Sequence, residues 1–211
     1  MKRQPYRLIA SPGCGSAVVE AALTLAGLPF ELEDIAFDDL GPAHPRLGKF
    51  NPLGQVPVLL LPGGEVMTES AAIVLHLSEV APKAGLAPPP GSARRPAFLR
   101  WLLMLVGAIY PTFTYGDFPA RFVPAGKAAK RLSASSIARR QLLWTHVEAA
   151  AGKPWFLGRD RSALDLYVGA MTRWRPRRAW FAEHTPKLAA IAARVDAVPA
   201  LAGVWERNFG A

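Results

Sequence analysis

The chain has 211 residues, 51% of them apolar and 19% charged, enough for a sizeable core in one large domain or two small ones. That balance excludes a disordered chain, and the single cysteine, Cys14, excludes an intrachain disulfide and points to a reduced, cytoplasmic setting. The formal charge of +9 is uneven: residues 1–90 carry 6 basic and 9 acidic side chains, whereas residues 91–211 carry 19 and 7.

The start, Met1-Lys2-Arg3-Gln4-Pro5, has no apolar signal core. Tyr6 to Ala10 reads as a short strand. Ser16 to Ala26 (SAVVEAALTLA) reads as a helix, with Ser16 as its N-cap and Gly27 just past its end. Phe30 to Ile35 alternates apolar and acidic residues like a half-buried strand. Pro42 to Phe50 is a short, poor helix or an irregular segment. Val56 to Leu61 is a buried strand, and Pro62-Gly63-Gly64 turns the chain so that Glu65-Val66-Met67 pairs back as a hairpin. Ser70 to Val80 is helical. The Pro- and Gly-rich stretch from Ala81 to Ser92 ends this βαβ-ββα unit and reads as a linker.

Beyond the linker no good strand is found. Helices are predicted from Ala93 to about Tyr110, Gly126 to Ala151, Ala163 to Arg173, Pro186 to Val198 and Pro199 to Phe209. Ser162 and Asp165 form a predicted capping box at the third of these. The predicted division is therefore an α/β domain over 1–81, a linker over 82–92 and an all-helical domain over 93–211. The longest apolar run, Trp101 to Tyr110, has ten residues, short of a membrane span of about 18–20.

Three segments of the first domain carry chemistry. Ser11-Pro12-Gly13-Cys14-Gly15-Ser16 brings small side chains and free amides to a helix N-terminus, which favours an anion or a thiolate. An ordinary glycine turn gives the same pattern. Gln55-Val56-Pro57 precedes the buried strand, and a cis proline there leaves the Val56 backbone free to pair with an extended peptide ligand. Thr68-Glu69-Ser70 opens a helix whose amides and Ser70 suit a carboxylate, while Glu69 suits an ammonium; an amino acid carries both groups side by side. A simple cap is the plainer reading of that segment alone.

Taken together, the small-residue loop, Val56-Pro57 some forty residues later and Glu69-Ser70 a dozen beyond resemble the glutathione-binding domain of the cytosolic glutathione S-transferases. Asn51-Pro52-Leu53-Gly54-Gln55-Val56-Pro57 and Met67-Thr68-Glu69-Ser70-Ala71-Ala72-Ile73 carry the same resemblance, and it extends over the whole chain, including the linker and the capping box. It implies a thioredoxin-like first domain, a helical second domain and a homodimer working in detoxification. It also implies that Val56 pairs with the cysteinyl backbone of glutathione ahead of Pro57, and that Glu69 and Ser70 hold its γ-glutamyl end. Gln55, Lys49 and Arg46 are candidates for its glycyl carboxylate. Tyr110, Phe113 and Tyr115 are candidates for the far side: Tyr110 as a helper at the sulfur, the other two lining the pocket of a small apolar electrophile.

The loop departs from the bacterial beta-like pattern. Gly15 stands where that class has its cysteine, Cys14 comes one residue early, and Tyr110-Pro111 replaces its His-Lys pair. Ser11, Ser16 and the local amides are then the predicted thiol activators, with Cys14 as the alternative through a mixed disulfide with glutathione. Besides conjugation, a glutathione-dependent disulfide reductase or isomerase and a non-enzymatic binding protein remain open. His44, His76, His146 and His184 have no metal-ligand spacing, so no metal is expected. The basic clusters, above all Arg173 to Arg178, read as solvated surface in preference to a nucleic-acid site.

Overall fold

The computed structural model describes residues 4–210. Met1, Lys2 and Arg3, on which the signal-peptide reading partly rests, lie outside the described residues. The chain forms two compact units. One comprises the described residues up to Pro89 together with those from Ala193 onward; the other is Pro90–Ala192. Residues 193–210, which the sequence groups with the helical domain, thus associate with the α/β unit.

The first unit is built on four strands, β1 (Tyr6–Ala10), β2 (Phe30–Asp34), β3 (Val58–Leu60) and β4 (Val66–Met67), in the order β2-β1-β3-β4. The β1–β2 pair is parallel, joined through α1 (Ser16–Ala26), and the other two pairs are antiparallel. This is the thioredoxin-like arrangement that the βαβ-ββα order predicts. Gly27 takes φ 62° at the end of α1, and Leu28 N–H reaches back to the Leu23 carbonyl, so the helix stops where a residue without Cβ allows a left-handed turn. Residues 16–23 of α1 are all buried, and the helix packs against α2 (Ser70–Val80) and β1. On one face of the sheet Ile9 and Val58 pack with Ile35 and Leu47 from the irregular segment 35–50, where only two short 3-10 turns form. Leu8 and Leu59 alternate to the other face.

The second unit is helical: α3 (Arg95–Leu103), α4 (Tyr110–Asp117), α5 (Lys127–Ala150), α6 (Ala163–Met171) and α7 (Arg178–His184), followed by α8 (Pro186–Asp196), which starts in it. The helix predicted to end near Tyr110 continues to Asp117, because a π-helical stretch at Met104–Ile109 lies between α3 and α4. Pro111 lacks the amide that an α-helix would direct to the carbonyl four residues back, and the wider turn just before it accommodates that loss. By length and composition the stretch Arg95–Asp117 is long and apolar enough to cross a membrane, which the ten-residue run did not suggest. Its Phe98, Trp101, Leu102, Leu105, Ile109 and Phe113 are nonetheless buried within the protein. The capping box is present as expected: Asp165 accepts from the amides of Ser162 and Phe156, both at 2.7 Å. Glu148 of α5 likewise takes the first amides of α8, from Lys187 and Leu188, at 3.0 Å each. The last helix, α9 (Ala202–Phe209), belongs to the first unit and packs on α1.

Candidate functional site

The loop between β1 and α1 is latched by one side chain. Ser16 Oγ accepts from the Ser11 amide at 3.1 Å and donates to the Ser11 carbonyl at 3.0 Å, fully buried. Ser16 is therefore inside the first turn of α1 and not its N-cap; Gly15 holds that position with no side-chain cap. With its hydroxyl committed at both lone pair and proton, Ser16 is a brace for the loop. Cys14 N–H closes a turn on the Ser11 carbonyl at 3.1 Å, and Gly13 supplies the positive φ, 77°, that the turn requires. The Ser11 hydroxyl is buried and, among the described residues, finds no nitrogen or oxygen partner. It nevertheless lies where it favours a thiolate on Cys14.

That help is outweighed. Burial pushes the Cys14 thiol up from its ordinary value, and the Ser11 hydroxyl only partly opposes it. The thiol is thus protonated at neutral pH, although the loop opens a helix whose N-terminus favours negative charge.

The second segment is shaped by Asn51, whose role the sequence reading did not assign. Its side chain accepts from Leu53 N–H at 3.0 Å and donates to the Gln55 carbonyl at 2.9 Å. Gly54 sits in the same turn at φ 64°, and a Cβ there would fall 1.9 Å from the Gly41 carbonyl carbon. This close approach explains the glycine better than turn propensity alone. The turn delivers a cis Val56–Pro57 peptide to the start of β3. Among the described residues, neither the amide nor the carbonyl of Val56 enters a hydrogen bond. Pro57 is buried and Val56 half-buried.

Glu69 immediately precedes α2 with φ 62° and ψ 100°, outside the well that a non-glycine residue normally occupies at positive φ. Holding a residue there costs on the order of 1–3 kcal/mol and is typical of functional positions. Its side chain is exposed, and Ser70 opens the helix beside it. Of the three candidates for a carboxylate partner, Arg46 is engaged: its Nε and Nη2 donate to Glu33 at 2.7 and 3.0 Å. The Arg46 guanidinium in turn holds the Glu33 carboxyl below its usual range. Lys49 and Gln55 are exposed.

Tyr110, Phe113 and Tyr115 belong to the second unit. Tyr110 and Phe113 pack edge-to-face with Trp174, at 5.4 and 5.1 Å between ring centres, while Tyr115 is exposed and meets Phe122 at 4.8 Å. Trp174 joins Tyr110 and Phe113 in one aromatic group. Beneath it lies Arg140, 1% exposed, with its guanidinium 3.7 Å over the Phe113 ring and donating to the Thr112 hydroxyl and carbonyl and to the Arg175 carbonyl. Burial lowers its pKa to about 10, so it stays charged at neutral pH. The Arg173–Arg178 cluster is partly structural: Arg175 pairs with Asp117 at 2.9 Å, and Arg178 donates to the Gly169 carbonyl near the end of α6 at 2.9 Å. Among the described residues no group of three or more His, Cys, Asp or Glu is arranged to hold a metal.

Comparison with known proteins agrees with this geometry. The family model for the glutathione S-transferase N-terminal domain matches residues 16–80. The chain is 37% identical over 198 residues to the uncharacterised GST-like protein YncG of Escherichia coli K12, covering 93% of this chain and 95% of that one. It is 27% identical over 175 residues to glutathione S-transferase GstA of Escherichia coli O157:H7, covering 80% and 81%. Among solved structures, a sphingomonad glutathione S-transferase in complex with glutathione superposes with a TM-score of 0.77 at 28% identity, over 97% of this chain and all of that one. A glutathione transferase homologue from Sulfitobacter with bound glutathione has the same fold, with a TM-score of 0.87 over 96% and 97% of the two chains at 23% identity. The chain belongs to the cytosolic glutathione S-transferase family.

Proposed function

We propose that the protein binds glutathione along its first unit and promotes attack of the bound thiolate on a small apolar electrophile, as a glutathione S-transferase. The observation that carries this reading is the open backbone of Val56, which follows the Asn51–Gly54 turn and has neither amide nor carbonyl bonded among the described residues. An extended cysteinyl residue satisfies both groups at once, as an added strand would. The strained Glu69 and the first amides of α2 suit the neighbouring ammonium and carboxylate of a γ-glutamyl group. Lys49 and Gln55 are left to meet the glycyl carboxylate, since Arg46 already serves Glu33.

The catalytic demand is thiol ionisation. A free thiol has a pKa of about 8.5, and bringing it down by ~2 units takes about 2.7 kcal/mol. Ser11 is the proposed donor: its buried hydroxyl has no nitrogen or oxygen partner among the described residues, and a sulfur anion is a stronger acceptor than the neutral Cys14 thiol. The helix N-terminus behind it adds to the same effect. The proton of the thiol passes to solvent, the thiolate forms a carbon–sulfur bond with the electrophile, and the leaving group departs with the bonding pair. Tyr110, Phe113 and Tyr115, all of the second unit, are the residues proposed to contact the apolar electrophile. Dimer formation, cytoplasmic residence and a part in detoxification follow from the same reading.

Ser11→Ala tests it. Conjugation of glutathione to an activated aryl chloride falls by about ten- to a hundredfold in kcat, the range for one hydrogen bond to a charged group, with the apparent pKa of the bound thiol raised. An unchanged pH profile removes Ser11 from the mechanism. A second reading, thiol–disulfide exchange through Cys14, is favoured by the proximity of the Ser11 hydroxyl to that thiol. The protonated state of Cys14 weighs against it. Cys14→Ala separates the two readings: conjugation survives it under the first, and disulfide reduction disappears under the second.

A further inference from the structure

The helix α9 reaches the thiol-proposed loop through one side chain. Glu20 lies on the inner side of α1, 4% exposed, among alanines, valines and a leucine. A carboxylate so placed requires partners, and α9 supplies them. Arg207 donates from Nε to Glu20 Oε1 at 2.9 Å and from Nη2 to Glu20 Oε2, and its Nη1 also meets Asp34 at the end of β2 at 2.8 and 3.0 Å. Asn208, 6% exposed, donates from Nδ2 to Glu20 Oε2 at 2.8 Å and to the Val204 carbonyl at 2.9 Å. Its remaining atom, Oδ1, accepts from the Gly13 amide at 3.3 Å. The amide orientation is determined by chemistry: two acceptors face Nδ2 and one donor faces Oδ1, and the flipped side chain satisfies none of the three.

We propose that Asn208 is a positioning residue for the loop that bears Ser11 and Cys14, acting through the Gly13 amide and itself fixed by the Glu20–Arg207 pair. Gly13 is the left-handed corner of that loop and stands in sequence between Ser11 and Cys14. Holding its amide sets the angle at which both side chains are presented. The inference rests on the glutathione reading for its catalytic consequence, but not for its structural one. It also gives the association of residues 193–210 with the first unit a function.

The test compares Asn208→Ala with Val204→Ala, which loosens the packing of α9 and leaves the Asn208–Gly13 bond in place. The first readout needs no glutathione: the rate at which iodoacetamide alkylates Cys14, which is half-buried in the native loop. Asn208→Ala raises that rate about three- to tenfold, the size that one net hydrogen bond allows, while Val204→Ala stays close to the parent. Should Asn208→Ala not fold, Asn208→Leu, of similar size, replaces it with the same expectation. The second readout is conjugation: Asn208→Ala lowers kcat with little change in KM for glutathione and shifts the pH profile, and Val204→Ala moves neither. Parent-like alkylation in a folded Asn208→Ala or Asn208→Leu protein overturns the proposal. An equal rise in Val204→Ala overturns it too, because the effect then comes from loosening α9 and not from the Gly13 bond. If the parent itself does not turn over glutathione, the glutathione reading fails while the alkylation comparison still decides the role of Asn208.

Discussion

At the scale of single residues, the site depends on positions where no other side chain satisfies both backbone and neighbours. Gly54 combines a positive φ with a Cβ position under 3 Å from the backbone of Gly41 and Pro42. Backbone cannot swing aside as a flexible side chain can, so Gly54→Ala carries both strain and overpacking. A loss of about 2–5 kcal/mol is expected, visible as a lower urea midpoint at unchanged m-value. Glycine and asparagine in Asn51-Pro52-Leu53-Gly54 are legible as turn residues from sequence. The reason for them is not, because Gly41 approaches from thirteen residues away. Ser16 shows the same limit in the opposite sense. A serine before an apolar run reads as a cap, yet its hydroxyl closes back on Ser11, and only the folded loop distinguishes the two.

At the scale of elements, short-range signals transferred well, including the cis bond before Pro57 and the helix start at Pro186, and the helix running through Pro111 did not. Strands and helices of the first unit fall where alternation and capping put them, because each is fixed by neighbours within a few residues. The sequence reading ends the helix through Pro111 near Tyr110, short of Asp117, because a π-helical stretch is a local rearrangement with no composition of its own. The helix Arg178–His184 was missed because it is short, begins after Arg177 at φ 76°, and carries no cap residue. The capping box of α6 was legible, and its energetics now have a sign. Asp165 is fully buried, and burial pushes its carboxyl up to about 6 despite the hydrogen bonds from Phe156, Ser162 and its own amide that favour the carboxylate. The folded chain then keeps a proton that the unfolded chain releases between about pH 4 and pH 6, so this group's contribution to stability falls by roughly 3 kcal/mol as pH rises through that window. Asp165→Ala removes that slope and leaves the Ser162 and Phe156 amides without an acceptor, at a cost of about 2–4 kcal/mol at neutral pH. Chemical denaturation at a series of pH values from 4 to 7 checks both.

At the scale of the whole molecule, the net charge proved a poor guide to function. Arg140, Arg175 and Arg178 are tied to carbonyls or to Asp117 and hold helices together. The glutathione-like pattern was legible because Val56-Pro57 and Glu69-Ser70 are near each other in sequence and the fold only has to bring one loop to them. Glu20, Arg207 and Asn208 were not legible, since almost the full length of the chain separates partners that meet at hydrogen-bond distance. The proposed peptide-like cradle for glutathione on the first unit has a direct test in calorimetric titration with millimolar glutathione, repeated on Glu69→Gln. A saturable heat at one ligand per chain, weakened at least about tenfold by the loss of the Glu69 charge, is the predicted result. The absence of saturable binding in the parent protein contradicts it.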